Sequence, residues 1–372
     1  MMKKVGIVTL SASDNCGSLL QAYALQNYIE EAFGLNVEII NLKTKQSDDV
    51  YALFSKGFYK HPKKTIFTLL HIFSIIRQKK GYRDFREEYL HLSNEIYRKV
   101  DDIAKIVDDY DYLITGSDQV WNVYMSDYDD SFYLPWKTRA KKLSYAASLG
   151  SSQIIDPLKR SQLKEWLADY CAISVREETG RKTIQAITDK KVYVTVDPTL
   201  LLSEDQWSRI VGERMVKKPY IFYYSWAYPD ENMNRLVQRF SQEKGLDVYV
   251  INSSKWYKYR PRSFNFKLYP DSGPNVFLNL MKNAEYVFVQ SFHGTVFANI
   301  FHKRFFFLSE NGKDKVDFRS KNLIDLLNEN SQVVSCYNDI SKGLNSNLSY
   351  ESPKLDEIIM GSKKYLKSVL KG

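Results

Sequence analysis

The stretch AEYVFVQSFHGTVFANIFHKRFFFL, residues 284–308, changes its hydrophobic period twice and decides the fold of this 372-residue chain. The period predicts a buried strand at residues 286–290, a helix at residues 295–301 and a second strand at residues 305–308. Strand, turn and helix in this order are the repeating unit of parallel α/β sheets, and ligands bind where the strand ends and the helix begins. The stretch therefore predicts an α/β protein with a binding site at this junction.

The tetrapeptide Ser291-Phe292-His293-Gly294 occupies the junction, and Thr295 follows it. It brings a hydroxyl, a titratable imidazole and a glycine backbone to the positive end of a helix, where an anion is favoured. A histidine in this place can also serve only to cap the helix. We favour the functional interpretation of His293, because the three residue types occur together at a predicted anion site.

The composition indicates a globular protein with more than one domain. Hydrophobic residues make up 44% of the chain, enough for a sizeable core. The three cysteines, Cys16, Cys171 and Cys336, are far apart and form no CxxC pair, which argues against a disulfide framework or a zinc site and fits a reducing cytoplasm. We expect neither a signal peptide nor a membrane-spanning helix, since no apolar run is long enough.

Much of the net charge of +9 comes from residues 50–83, which contain no acidic residue. The cations of this basic segment are Lys56, Lys60, Lys63, Lys64, Arg77, Lys79, Lys80 and Arg83. They flank the apolar centre IFTLLHIFSII, a pattern that fits a helix lying on an anionic membrane surface. A core helix with solvated basic ends explains the pattern equally well. Nucleic acid is disfavoured as a partner, because no binding motif accompanies the charge.

Strand and helix patterns alternate along the whole chain, as in parallel α/β proteins. The chain opens with a βαβ unit, in which strands at residues 4–10 and 37–41 flank a helix at residues 17–33 that Gly34 ends. Further strands of the first half are predicted at residues 110–115, 142–146, 171–175 and 191–196. The second half is predicted to contain strands at residues 221–226, 248–252 and 332–334 and helices at residues 231–243, 274–283 and 319–327.

We therefore predict two Rossmann-like domains. The N-terminal domain comprises residues 1–200 with a basic helical insertion at residues 50–100, and the C-terminal domain comprises residues 201–350. The closing helix, residues 353–372, is a candidate to pack back on the N-terminal domain.

Polar side chains follow the first predicted strand. Asn15 and Gly17 stand at the start of the next helix, where an amide and a glycine suit a phosphate, a carboxylate or a sugar hydroxyl. Ordinary helix capping by Asp14 or Asn15 accounts for these residues equally well. The loop lacks a GxGxxG pattern, so the dinucleotide fingerprint is absent.

Two other strand ends in the first half carry candidate ligands. The strand at residues 110–115 runs into Gly116-Ser117-Asp118-Gln119-Val120-Trp121-Asn122, which offers hydrogen-bonding groups and an indole face, the combination that holds a sugar. Arg176 follows the strand at residues 171–175. It could fork onto a phosphate or carboxylate, or it could form a surface salt bridge.

Six blocks of the sequence, in this order, resemble the polysaccharide pyruvyl transferase family and span residues 5 to about 330. The blocks are Asn15-x-Gly17-x-x-x-Gln21, Gly116-Ser-Asp-Gln-Val-Trp-Asn122, Ser144-Tyr-Ala-Ala-Ser148, Ile173-Ser-Val-Arg176-Glu177, Val196-Asp-Pro-Thr199 and Ser291-Phe-His-Gly294.

The resemblance implies two Rossmann-like domains facing each other across a cleft, as in GT-B glycosyltransferases, with phosphoenolpyruvate bound there. It implies a ketal product in which pyruvate bridges two hydroxyls of one sugar. In the family, an arginine matching Arg176 and an Arg-x-His turn matching residues 291–293 hold phosphoenolpyruvate and assist proton transfer. This chain departs from the family at Ser291, where other branches carry arginine. The second cation then has to come from elsewhere, and the candidates are Arg260, Arg262, Lys303 and Arg319.

Each candidate residue receives a predicted role from this resemblance and from the chemistry of the transfer. His293 is expected to move protons and Asp118 to assist or to orient the acceptor. The predicted donor-binding residues are Arg176, Ser291, Phe292, Gly294 and Thr295, and the predicted acceptor-binding residues are Asn15, Gly17, Ser117, Gln119, Trp121 and Asn122. No metal and no cofactor are expected beyond phosphoenolpyruvate as co-substrate, because His, Cys and carboxylates do not cluster at ligand spacing.

The expected partners are phosphoenolpyruvate and a sugar acceptor on a lipid-linked oligosaccharide, without nucleic acid. The expected location is the cytoplasm, with docking on the inner face of the cell membrane as the open alternative. Two other functions stay open: a GT-B glycosyltransferase that uses a nucleotide sugar, and a non-catalytic carbohydrate-binding relative, which Ser291 makes conceivable.

Overall fold

A computed structural model of the chain describes residues 2–54, 62–150, 154, 156–225, 230–252, 256–258, 261–309, 318–348, 350 and 352–371. The chain divides into two compact units. Unit 1 comprises Met1–Lys56, Asp84–Leu202 and Glu357–Gly372, and unit 2 comprises Gly57–Arg83 and Ser203–Asp356. Most of the closing helix is therefore part of unit 1, and most of the basic segment is part of unit 2.

The strands are β1 Lys4–Val8, β2 Asn36–Ile39, β3 Tyr112–Thr115, β4 Lys141–Ser144, β5 Tyr170–Val175, β6 Val192–Val194, β7 Tyr220–Tyr224, β8 Asp247–Val250, β9 Lys267–Leu268, β10 Tyr286–Val289, β11 Phe305–Leu308 and β12 Val333–Val334. The α-helices of the described residues are α1 Cys16–Phe33, α2 Lys45–Tyr51, α3 Pro62–Leu70, α4 Ile72–Tyr89, α5 Val100–Ile103, α6 Pro157–Ala168, α7 Glu178–Gln185, α8 Glu204–Ser208, α9 Glu231–Lys244, α10 Pro274–Asn283, α11 Phe292–Ile300, α12 Phe318–Leu326, α13 Tyr337–Asn345 and α14 Pro353–Leu370.

Unit 1 contains a six-stranded parallel sheet with the order β2-β1-β3-β4-β5-β6. This is the flavodoxin-like order with one more strand at the edge. The direction in which strands are added reverses between β1 and β3. Ligands of such sheets bind outside the carboxyl ends of the strands at the point of reversal, so the loops after β1 and β3 mark the switch point of unit 1.

Unit 2 contains a second six-stranded parallel sheet with the order β12-β11-β10-β7-β8-β9. Counted from β7 as the first strand, this is the order of dinucleotide-binding Rossmann sheets. Its reversal lies between β7 and β10. The loop after β10 carries the 291–294 tetrapeptide, so the fold places this motif at the switch point of unit 2. The prediction of two Rossmann-like α/β domains is confirmed.

Local signals explain where the long helices begin and end. Asn15 caps α1 and Gly34 ends it at a φ of 62°, which glycine adopts without strain. Asp230 caps α9 and Gly245 ends it at a φ of 65°. These boundaries could be predicted because each cap involves residues that are neighbours in the chain.

The helix after β10 begins earlier than the sequence predicts. It starts at Phe292 rather than at residue 295, because the hydroxyl of Ser291 accepts a hydrogen bond of 3.0 Å from the N–H of Gly294. Gly294 permits this tight start, since a Cβ there would lie 2.9 Å from Cγ1 of Val289. Phe292 and His293 therefore belong to the first helical turn and not to a preceding loop.

Aromatic packing holds the centre of unit 2 together. Phe240 of α9 contacts the rings of Tyr286, Phe288 and Phe306 edge-on, with centroid separations of 5.0, 5.4 and 5.7 Å. Such pairs contribute about 0.5–1.5 kcal/mol each beyond the burial of apolar area. The strands β10 and β11 are thus fixed from one face, and the loop after β10 starts from a rigid base.

Candidate active site

The switch point of unit 2 carries polar residues at the ends of both strands that border it. Ser225 follows β7, and its buried hydroxyl donates a hydrogen bond to the side-chain oxygen of Gln290, which follows β10. Ser291 comes next and caps α11. Hydrogen-bonded polar residues therefore lie between the ends of these two strands and the positive end of a helix, where an anion is stabilised.

His293 is the second residue of α11 and is half-buried. Its ring meets that of Phe292 edge-on at a centroid separation of 5.1 Å. The capping interpretation is wrong for this histidine, because the hydroxyl of Ser291 performs that role. The imidazole of His293 thus lies in the first turn of α11, at the edge of the sheet where ligands of such folds bind.

The other donor-binding candidates of this turn are occupied by the helix start itself. Thr295 is fully buried, and its hydroxyl donates to the carbonyl oxygen of Ser291 at 3.1 Å. The N–H of Gly294 donates to the hydroxyl of Ser291. These contacts give Thr295 and Gly294 structural roles in the helix start, and their predicted donor-binding roles stay predictions. Phe292 is nearly buried beside His293.

Arg319 is the best placed of the three candidates for the second cation that the structure describes. Its guanidinium carbon lies 5.9 Å from the centroid of the Phe292 ring, next to the first turn of α11. Lys303 precedes β11 and therefore stands at the amino end of that strand. The pKa of Lys303 is lowered, and burial is the main cause. Arg262 is exposed in the short 3₁₀ helix Pro261–Phe264. Arg260 lies outside the described residues.

The switch point of unit 1 begins with the cap of α1. Oδ1 of Asn15 accepts hydrogen bonds from the N–H groups of Gly17 at 2.9 Å and Ser18 at 3.5 Å. The capping interpretation therefore holds for Asn15, and the backbone N–H of Gly17 takes part in the cap. Their contact with an acceptor stays a prediction.

Asp118 has the most unusual backbone at this site. It has a φ of 71° and a ψ of −172°, a region that is costly for any residue except glycine. Its side chain is nearly buried and accepts hydrogen bonds from the hydroxyl of Ser18 at 2.5 Å and from the N–H of Gln119 at 2.9 Å. Strained residues cluster at functional sites, which supports the predicted role of Asp118.

Arg176 does not reach out to solvent. Its Nε contacts Oε1 of Glu177 at 2.9 Å and its Nη1 contacts Oδ2 of Asp197 at 2.8 Å, and all three side chains are buried. Burial lowers the pKa of Arg176, but the carboxylates of Glu177 and Asp197 raise it by more. Arg176 therefore belongs to a buried ion cluster and not to a surface salt bridge, and its predicted donor-binding role stays a prediction.

The remaining acceptor-binding candidates, Ser117, Gln119 and Asn122, differ in whether their side chains could contact a ligand. Ser117 is buried and donates to the carbonyl oxygen of Ala146 at 2.9 Å. Gln119 and Asn122 are half-buried and share a hydrogen bond of 3.0 Å between their side-chain amides. The amide pair could contact a ligand, whereas Ser117 supports the loop.

The prediction that Trp121 presents an aromatic face to a sugar is wrong. The side chain is fully buried, its Nε1 donates to the carbonyl oxygen of Phe132 at 3.0 Å, and its ring stacks on Tyr133 at 4.9 Å. A large apolar ring is stabilised by this burial, and no surface of it is left for a ligand.

Sequence reasoning missed the side chains that hold the unit 1 site together. Ser18 donates to Asp118, and Ser148 donates to Oε1 of Glu177 at 2.6 Å. The first contact joins residues 100 positions apart and the second joins residues 29 positions apart, so no local sequence pattern predicts them. Only the position of Glu177 and Asp197 directly after predicted strands gave a signal.

Within the described residues, no group of three or more His, Cys, Asp or Glu side chains is arranged to hold a metal ion. None of the helices in the described ranges is long and apolar enough to cross a membrane.

The sequence profile described as polysaccharide pyruvyl transferase matches residues 15–312. The matched range includes both switch-point sites. A comparison with curated proteins finds no match.

Several solved structures share the fold at low sequence identity. UDP-GlcNAc 2-epimerase from Neisseria meningitidis, bound to UDP-GlcNAc, has a TM-score of 0.57 and 10% identity and covers 100% of each chain. The enzyme from Methanocaldococcus jannaschii has a TM-score of 0.56 and 11% identity, with 100% of each chain covered. The enzyme from Rickettsia bellii has a TM-score of 0.55 and 10% identity and covers 100% of this chain and 97% of that chain. At these identities the likeness concerns the fold, which is GT-B-like.

Proposed function

The chain belongs to the polysaccharide pyruvyl transferase family, and on this premise we propose that it transfers the enolpyruvyl group of phosphoenolpyruvate to two hydroxyls of one sugar, forming a pyruvate ketal. The observation that carries the proposal is the position of His293. Its half-buried imidazole stands on the first turn of α11, at the switch point of unit 2, and Arg319 lies beside the ring of the adjacent Phe292. An acid at a predicted anion site is what protonation of an enol phosphate requires.

Each proton and bond of this transfer has an assigned place. Protonated His293 gives its proton to the methylene carbon of phosphoenolpyruvate, which becomes the methyl group of the ketal. The first sugar hydroxyl bonds to the adjacent carbon and returns a proton to His293. The bond from that carbon to the phosphate oxygen then breaks, the second hydroxyl forms the second C–O bond, and its proton leaves with phosphate.

The charges of the two switch points favour the donor in unit 2. The site of unit 1 holds the carboxylates of Asp118, Glu177 and Asp197 beside the guanidinium of Arg176, while the nearby Arg86 is paired with the carboxylate of Asp14. This excess of negative charge disfavours phosphoenolpyruvate, which carries both a phosphate and a carboxylate. A neutral hydroxyl-bearing acceptor is compatible with it. We therefore assign the donor to the site of His293 and the acceptor to the site of Asp118.

The acceptor is proposed to be a lipid-linked sugar on the cytoplasmic face of the membrane, and unit 2 carries a surface suited to that place. Five large apolar side chains of α3 and α4 are exposed at helical spacing, and we call them the apolar stripe: Ile66, Leu69, Leu70, Phe73 and Ile76. Leu70 is 73% and Phe73 88% exposed. The interpretation as a buried core helix is therefore wrong.

Other residues of these helices fix them to unit 2. Gly81 packs so closely on the backbone of Ser272 that a Cβ would lie 1.8 Å from the carbonyl oxygen. Arg77 pairs with Asp271 through two hydrogen bonds, and His71 stacks on Tyr257 at a centroid separation of 3.7 Å. The exposed apolar stripe therefore belongs to helices that are anchored to unit 2.

Cations next to the apolar stripe indicate an anionic lipid surface as its partner. Lys63, Lys80 and Arg83 are exposed on the same helices. Lys56 and Lys60 lie outside the described residues. An apolar face with a basic border binds at the interface of anionic membranes.

The donor can be tested by binding and by turnover. The structural neighbour from Neisseria meningitidis binds UDP-GlcNAc, so a nucleotide sugar is the rival donor. We expect phosphoenolpyruvate to raise the melting temperature of the chain and UDP-GlcNAc to leave it unchanged, because a ligand stabilises only the fold that binds it. With a panel of lipid-linked galactosides, glucosides and mannosides, phosphate release should then accompany a product heavier by the pyruvate ketal. Stabilisation by UDP-GlcNAc alone would support the glycosyltransferase, and absence of turnover with every acceptor would support a non-catalytic relative.

A further inference from the structure

A small recess in unit 1 lies beside the loop that follows β1. Its walls come from three chain segments, which include Ser13, Tyr51 and Asp127. Because one wall follows β1 directly, the recess is at the ligand-binding edge of the sheet, next to the switch point. It opens to solvent and has room for a group about the size of a water molecule.

Two buried oxygen atoms of this Asp127 recess have no hydrogen-bond partner among the residues that the structure describes. They are Oδ1 of Asp127 and Oγ of Ser13. The residues are only 4% and 2% exposed. Buried polar atoms are nearly always hydrogen-bonded, and an unsatisfied buried carboxylate oxygen is costly. The two atoms therefore indicate an occupant.

Tyr51 fixes the direction in which the carboxylate points. Its hydroxyl donates to Oδ2 of Asp127 at 3.0 Å. Burial, and after it the Asp127 carboxylate, raises the pKa of Tyr51, so the phenol remains a donor throughout the neutral range. With Oδ2 engaged in this way, Oδ1 is the oxygen that is left for an occupant.

The walls specify the chemistry of that occupant. A carboxylate repels an anion, so neither phosphate nor phosphoenolpyruvate suits the recess. A hydroxyl suits it, because its hydrogen can be donated to Asp127 and its oxygen can accept from Ser13. Leu10, Leu42 and Phe132 supply an apolar wall for the adjoining C–H groups.

We propose that the Asp127 recess is a specificity subsite that receives one hydroxyl or hydroxymethyl group of a sugar, and that Asp127 selects the sugar by this contact. The inference rests on the proposed function in taking that sugar to be the acceptor. It adds a recognition site made by residues other than Asp118 and the Arg176 ion cluster.

The test measures sugar binding without turnover. The full chain is titrated with methyl glycosides of galactose, glucose and mannose and with their monodeoxy derivatives, followed by ligand-observed NMR. We expect one parent glycoside to bind, and one of its monodeoxy derivatives to bind roughly 10- to 100-fold more weakly, the range for a hydrogen bond to a charged group.

Asp127→Asn turns the acceptor oxygen into an amide donor of similar size. It should weaken the parent glycoside by the same factor and leave the sensitive deoxy derivative unchanged, as a double-mutant cycle requires of a direct contact. Ser13→Ala should act in the same direction and provides a second variant if Asp127→Asn does not fold. Asp101→Asn changes a carboxylate that is 80% exposed and should have no effect.

Three outcomes separate this proposal from the proposed function. Equal binding by wild type and Asp127→Asn, or no binding of any glycoside, means that the recess holds only water and overturns the subsite. Phosphate release with unchanged kinetics in Asp127→Asn overturns the subsite and leaves the transfer standing. Glycoside binding that depends on Asp127, without phosphate release from phosphoenolpyruvate, supports the subsite and overturns the transfer.

Discussion

At the scale of single residues, His293 is the side chain on which the proposed chemistry depends most. His293→Ala should lower turnover by about 10²- to 10⁴-fold, the usual contribution of a general acid or base. The fold should survive, because Ser291 and not His293 caps α11. Phosphate release and the melting temperature are measured together, with His91→Ala as the control for an exposed histidine. A loss of turnover below tenfold would argue against a proton-transfer role.

Arg176 is expected to matter for stability. Arg176→Met leaves the buried carboxylates of Glu177 and Asp197 without their cation, and breaking a buried pair in this way costs about 3–5 kcal/mol. Chemical denaturation measures the free energy of unfolding. Arg181→Met is the matched control, because Arg181 pairs with Glu178 at the surface and should change little. A stable Arg176→Met variant that has lost only affinity for the donor would support the predicted donor-binding role of Arg176.

Glu329 should make the stability of unit 2 depend on pH. It is buried, and neither carboxylate oxygen has a hydrogen-bond partner in the described ranges. Burial, opposed by Arg304, raises its pKa from the usual 4.5 to about 7. The folded state therefore binds a proton more tightly than the unfolded state, and this contribution to stability is complete below pH 4.5 and is lost as the pH rises to 7.

Glu329→Gln should remove this dependence, because the amide stays neutral. The variant should match wild type near pH 4.5 and exceed it at pH 8 by up to about 3 kcal/mol in the free energy of unfolding. Denaturation at a series of pH values provides the measurement, with the exposed Glu285→Gln as control. Parallel pH profiles of wild type and Glu329→Gln would contradict the argument.

At the scale of elements, helices α3 and α4 are expected to dock the protein on anionic membranes. Sedimentation with vesicles should show binding to anionic but not to neutral lipid, and binding should fade with salt because the Debye length shrinks from about 10 Å at 0.1 M to about 3 Å at 1 M. Two variants separate the contributions. Leu70→Ser with Phe73→Ser removes apolar contact, and changing Lys63, Lys64, Lys79 and Lys80 to glutamate removes charge.

Both variants should lose vesicle binding while keeping the fold, since neither of them changes Gly81 or Arg77, which anchor these helices to unit 2. Met215→Ser and Leu158→Ser serve as controls for exposed apolar residues elsewhere. Self-association that disappears only in the Leu70 and Phe73 variant, without any lipid binding, would identify the apolar stripe as an interface between copies of the chain.

At the scale of the whole molecule, two parallel sheets with different strand orders each present a polar switch point. The proposed transfer uses proton exchange and two charged or hydroxyl-lined sites, and the sequence offers no metal-ligand spacing. Activity should therefore persist after dialysis against a chelator. Inactivation by the chelator and recovery with a divalent ion, measured as phosphate release, would show that a metal is needed.

The sequence by itself determined what depends on neighbouring residues. The alternating periods of residues 284–308 gave β11 and the strand before α11, and the caps Asn15, Gly34 and Gly245 set helix ends, because these signals come from backbone sterics and from hydrogen bonds over a few positions. The ordered motifs also gave the family. They placed His293 just after a strand, and in the structure that strand, β10, borders the switch point of unit 2.

Only the tertiary structure decided which side chains meet. Trp121 became a core residue because the loop between β3 and β4 folds back and brings Phe132 and Tyr133 to it. Arg176 became an ion-cluster residue because β6 pairs with β5 and brings Asp197 to it. The apolar stripe was ambiguous for the same reason, since a hydrophobic face of a helix looks alike whether it meets a core or a membrane. Burial and pairing are properties of surfaces in contact, and the order in which strands join a sheet is set by long-range packing that no local period records.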